Sequence, residues 1–150
     1  MGLGSPRCDR LSVEAGMLVV RALVVWLVMM GVEFAHGGLR TIFLSPLLGD
    51  FRARQVSVFS GSVLIVLIAC LFARWLRAET TAARLMVGFF WLGLTLLFEL
   101  SLARYVFRRS WESLASDFNL LKGGLLPIGL VVLTLSPLLA ARLRTRQNDA

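Results

Sequence analysis

Four long apolar blocks, each near the length of a bilayer crossing and separated by arginine-bearing stretches, constrain this chain more than any other feature. A helix needs about 20 residues to cross a hydrocarbon core of roughly 30 Å. In lipid every backbone N–H and C=O must find a partner inside its own segment, which a helix provides. Residues 56–73 and 123–141 carry no charge at all. Residues 17–36 hold Arg21 near their start and Glu33 near their end, and residues 85–103 hold Glu99. The sequence therefore predicts an all-α fold, a four-transmembrane-helix bundle with spans near 17–36, 56–75, 84–104 and 124–142. It is read as a single membrane domain over 1–150, with flexible tails at 1–12 and 145–150.

Composition agrees. Hydrophobic residues make up 57% of the chain, against about 45–50% in soluble domains, and the mean hydropathy is +0.78. The first block is followed by VEFAHGG, which puts a glutamate and a histidine where a signal peptidase needs small residues, so it is read as an uncleaved helix.

The net charge of +7 comes from fifteen arginines and one lysine. They flank the apolar blocks, where they act as topology signals and as contacts for anionic headgroups. No nucleic-acid-binding motif accompanies them, which argues against nucleic acid as a partner. The expected partners are the lipid bilayer and either further copies of the chain or another membrane protein. Four spans bring both termini to one side. That side holds nine basic residues (Arg7, Arg10, Arg21, Arg74, Arg77, Arg84, Arg142, Arg144, Arg146) against seven on the other. The excess predicts cytoplasmic termini, and the preference for arginine over lysine suggests a GC-rich bacterial genome, so the expected location is a bacterial inner membrane. Cys8 and Cys70 form no CxxC or Cys/His cluster. No cofactor is expected, and one histidine without a second ligand makes no metal site.

The two outer loops are expected to carry short interfacial helices. In GGLRTIFLSPLLGDFRARQ, Ser45–Pro46 suits a helix start with serine as N-cap, and Asp50 suits an N-cap for the second span. In RRSWESLASDFNLLKGG, Trp111, Leu114, Phe118 and Leu121 make one apolar face. The halves show an approximate repeat: Glu33, Gly61 and Arg74 map onto Glu99, Gly129 and Arg142 at offsets of 66 to 68 residues. Two tandem helical hairpins, related about an axis along the membrane normal, would give such a pattern. Pro137 within the fourth block would bend its helix.

Glu33 and Glu99 are the candidate functional acids, because an ionisable residue inside a span is costly and usually faces a partner or a wet cavity. Glu33, His36 and Arg40 are spaced i, i+3, i+7 and share a face if the helix continues through Gly37–Gly38. Arg54 and Arg104 are further basic partners at the same end. The expected cluster is Glu33, His36, Arg40, Arg54, Glu99 and Arg104, with Glu33–Arg40 as its leading ion pair.

The segments EFAHGGLRTIFLSPLLGDFRARQ and FELSLARYVFRRSWESLASDFNLLKGG resemble those of small bacterial four-helix inner-membrane proteins over residues 20–144. That resemblance implies no activity. Length and helix count are also similar to those of small multidrug transporters, which place one glutamate within the first helix. Here Glu33 lies near the end of the first block and a second acid occurs in the third.

Two readings follow. In the first, the chain is a structural or accessory membrane subunit whose glutamates are fully paired at the rim of a packed bundle. In the second, it is a small transporter or ion-handling protein whose Glu33, His36, Arg40 and Glu99 line a cavity reaching inward. A lipid-modifying enzyme is a third and weaker reading, since no nucleophile and base stand at diagnostic spacing and catalytic residues cannot be named.

Overall fold

The computed structural model describes residues 6–106, 108 and 125–148. Among them the chain is helical throughout, with four helices long and apolar enough to cross a membrane. Helix α1 covers Pro6–Leu39, and a π-helical stretch, Arg40–Leu44, leads into the one-turn helix α2, Ser45–Leu48. Helix α3 covers Asp50–Leu76, α4 covers Thr81–Ser101 with a second π-helical stretch at Leu102–Val106, and α5 covers Leu126–Asn148.

Several boundaries differ from the sequence reading. The backbone is helical from Pro6 and remains so to Asn148, so neither expected tail is wholly outside a helix. Proline suits a first helical turn, where its missing N–H has no acceptor to lose. Helix α1 passes through Gly37–Gly38 and ends only at Leu39, and the Thr41 hydroxyl donates to the Gly37 carbonyl at 3.0 Å. Ser45 is the first residue of α2 rather than its cap, and Leu44 before it makes no side-chain cap bond. The break before α3 falls on Gly49, at φ +76°, a left-handed conformation that glycine adopts without steric cost. Asp50 is thus the first helical residue, where its charge suits the positive end of the helix dipole. The expected helix over residues 111–121 lies outside the described residues.

The long helices form a ring in the order α1, α3, α5, α4. Helix α5 packs most closely, against α3 and α4. The tightest point is Gly88 on α4, where a Cβ would collide with the Thr134 carbonyl of α5. The α1–α4 seam is looser and is closed by two tryptophans: Trp26 Nε1 donates to Thr95 Oγ1 at 2.9 Å, and Trp91 Nε1 donates to the Ala22 carbonyl at 2.8 Å. Each partner lies 69 residues away along the chain, so the two helices run in parallel register. A two-fold axis along the membrane normal would place α1 opposite α4 and α3 opposite α5. In this ring they are neighbours, so the repeat is not expressed as that symmetry.

Trp91, Met29, Val25 and Leu133 are fully buried at mid-bundle. Pro137 deprives the Leu133 carbonyl of its helical donor, and Ser136 Oγ replaces it at 2.8 Å. Many large apolar side chains on the outside remain exposed, including Leu71, Phe89 and Leu97. An apolar exterior around a packed centre is what lipid, not water, accommodates.

Candidate functional site

All four long helices contribute to one cavity of about 280 Å³ at the end of the bundle opposite the termini. Helix α1 supplies Glu33, His36 and Arg40, α3 supplies Ser57 and Gly61, α4 supplies Thr95 and Glu99, and α5 supplies Gly129 and Leu133. The sequence reading named four of these residues. Arg54 and Arg104 do not line the cavity and both are exposed. Glu99 stands at the exposed rim, and neither it nor Arg104 lacks a partner.

Glu33 lies deeper than its place in the apolar block suggests. Helix α1 continues past it to Leu39, which at 1.5 Å per residue is about 9 Å further along the axis. Its carboxylate rests against the backbone of α3 at Gly61: a Cβ there would lie 2.8 Å from Oε2 and 3.3 Å from Oε1. Gly61 is thus the one position on α3 where the absent side chain makes room for the acid.

The expected Glu33–Arg40 ion pair is not formed. Glu33 Oε2 instead lies 3.7 Å from His36 Nδ1, one helical turn away. The histidine occupies the interval between acid and arginine, and Arg40 opens the π-helical stretch, which departs from the α-helical register. At 3.7 Å this is an electrostatic contact rather than a hydrogen bond. Glu33 Oε1 is buried and has no hydrogen-bond partner among the described residues, and the same holds for Arg40 Nε and Ser57 Oγ. Three orphaned polar atoms therefore belong to residues lining a single cavity.

His36 also reaches α3. Its Nε2 lies 2.9 Å from Ser60 Oγ, and Ser60 Oγ lies 3.0 Å from the Val56 carbonyl. A hydroxyl has one proton to give. Committed to Val56, Ser60 accepts from Nε2–H of His36, which leaves Nδ1 facing Glu33 Oε2. That contact is attractive only with a proton on one of the two atoms.

Ile65, Thr95 and Leu133 form the floor. A second cavity, of about 550 Å³ at the other end of the bundle, reaches Ala69, Trp91 and Pro137. On α3, α4 and α5 alike the two sets are four residues apart, so one helical turn, about 6 Å, separates the cavities.

The sequence reading missed Ser57, Ser60 and Thr95 as site residues. Their signal was the run SVFSGS in an uncharged span, which puts three hydroxyls and a glycine within two turns. The described residues hold no group of three or more His, Cys, Asp or Glu suited to a metal ion. No protein-family model matches the chain, and neither a curated protein nor a solved structure does.

Proposed function

We propose that this chain is a small ion-handling membrane protein whose vestibule takes up a small cation bearing N–H donors, in exchange for the proton held between Glu33 and His36. The observation that carries this reading is the convergence of two orphaned acceptors, Glu33 Oε1 and Ser57 Oγ, on one cavity. A buried donor or acceptor left unmade costs about 1–3 kcal/mol, and two acceptors around one space suit a ligand that donates N–H bonds there, while Arg40 Nε, itself a donor, needs an acceptor that such a cation does not supply. The accessory-subunit reading asks for fully paired glutamates and a packed rim, which Glu33 does not support.

The charged groups around the pair come from two helices. Arg40 on α1 and Glu99 on α4 line the same cavity, while α3 and α5 offer no charged side chain to it among the described residues. The arginines at the far cavity oppose free passage of a cation, so the reading is one of binding and exchange, not of an open pore. We place the protein in a bacterial inner membrane with cytoplasmic termini and interfacial outer-loop helices. This placement rests on the distribution of arginine and on the loop patterns.

The test is proton release. Methylammonium chloride is added to the purified chain in weakly buffered detergent containing a pH-indicating dye. The wild type should release protons saturably, whereas choline, which has no N–H donor, should release none. Glu33→Gln should abolish the signal. Silence from the wild type, or equal release from Glu33→Gln, would overturn the reading.

A further inference from the structure

The cavity at the termini end of the bundle differs in kind from the vestibule and stands independently of it. Arg74 of α3, Arg84 of α4 and Arg144 of α5 line it, and no carboxylate does among the described residues. Arg74 and Arg144 sit toward the C-terminal ends of their helices, where a cation is electrostatically at ease. Arg84 is different. It lies in the first turn of α4, where the helix dipole opposes a positive charge, so local preference does not explain its place. Its Nε donates to the Ala78 carbonyl at 2.9 Å, which fixes the guanidinium at the cavity. Arg144 Nη1 is buried and has no hydrogen-bond partner among the described residues. Mutual repulsion among three guanidinium groups, with one buried N–H unmet, is relieved by an anion that accepts several hydrogen bonds at once. A phosphoryl group does this, and arginine's planar fork matches it. Below the arginines the walls are apolar, formed by Ala69, Trp91 and Pro137.

We propose that this cavity is a binding site for a phosphate ester, its phosphoryl oxygens held by Arg84 and Arg144 with Arg74 at the mouth. The phosphoryl group belongs either to a membrane phospholipid or to a soluble phosphate compound, and both present the same oxygens.

The experiment is native mass spectrometry of the full chain released from detergent micelles, titrated with phosphatidylglycerol or with uncharged diacylglycerol. The wild type should retain one phosphatidylglycerol at least tenfold more tightly than diacylglycerol. Arg84→Gln and Arg144→Gln should each weaken retention about tenfold, the scale of a lost charge-assisted hydrogen bond. Arg144→Lys, which keeps the charge but loses the fork, should fall between. Arg52→Gln, an exposed arginine outside the cavity, should retain the lipid as the wild type does. Helical content measured by circular dichroism checks each variant's fold, and if Arg144→Gln fails that check, Arg84→Gln and Arg144→Lys decide. Displacement of the lipid by millimolar inorganic phosphate assigns the site to soluble phosphate compounds, and retention in its presence assigns it to lipid. Equal retention of both lipids, or wild-type retention by the folded arginine variants, would overturn the proposal.

Discussion

Among the described residues, the vestibule mixes charges of both signs and leaves Glu33 Oε1, Arg40 Nε and Ser57 Oγ unpartnered, whereas the cavity at the other end has arginine alone among its ionisable residues. The two spaces lie one helical turn apart on three helices. A bundle that needed only to be stable would fill both with leucine. The difference teaches that the two ends differ in the sign and pairing of their charged groups, which is what supports proposing cation and proton exchange at one and an anion at the other. A septum one helical turn thick separates the two cavities, and Trp91, which closes the α1–α4 seam through Ala22, is its largest buried side chain.

Removing that septum is the most drastic way to break the contrast. Trp91→Ala should cost about 3–5 kcal/mol, as large-to-alanine changes in packed cores do. A sharply lowered thermal midpoint in detergent is expected, and an unchanged midpoint would mean that the septum is not packed as described. The two glycines that face other helices sharpen the contrast at a smaller scale. Gly88→Ala drives a methyl into the backbone carbonyl of Thr134, which cannot move without moving α5, and a loss of about 1–3 kcal/mol is expected. Gly61→Ala meets only the movable end of the Glu33 side chain. Its stability loss should be under about 1 kcal/mol, while proton release should fall, because the carboxylate is displaced from its seat. Side-by-side thermal melts of the two variants check the order, and equal losses would contradict the account of Gly61 as a site residue.

The spans were legible because lipid asks one simple thing of a sequence, a long apolar run, and residues 56–73 and 123–141 provide it without a single charge. The Glu33, His36 and Arg40 face was legible from helical spacing alone. Its pairing was not. The order Glu33, His36, Arg40 was visible in the sequence, but where π-helical geometry begins, at Arg40, is a fact that periodicity does not carry. The helix α3 contribution was hidden for another reason. Ser57, Ser60 and Gly61 look like ordinary small residues of a membrane span until the register of α3 against α1 is known. Pro137 shows the opposite case: a proline bend was foreseeable, but not that Ser136, its neighbour, would satisfy the freed Leu133 carbonyl.

The most direct measurement is the thermal stability of Glu33→Gln beside the wild type. In a pinning role the ionised carboxylate holds the loops, and its neutral isostere should lower the midpoint. In the vestibule account Oε1 is an unmet buried acceptor and the contact with His36 is long, at 3.7 Å. Sites kept for activity commonly sit at a cost in stability. Glu33→Gln should therefore melt at the wild-type temperature or above it. A clear fall in the midpoint would contradict the account and return Glu33 to a structural role.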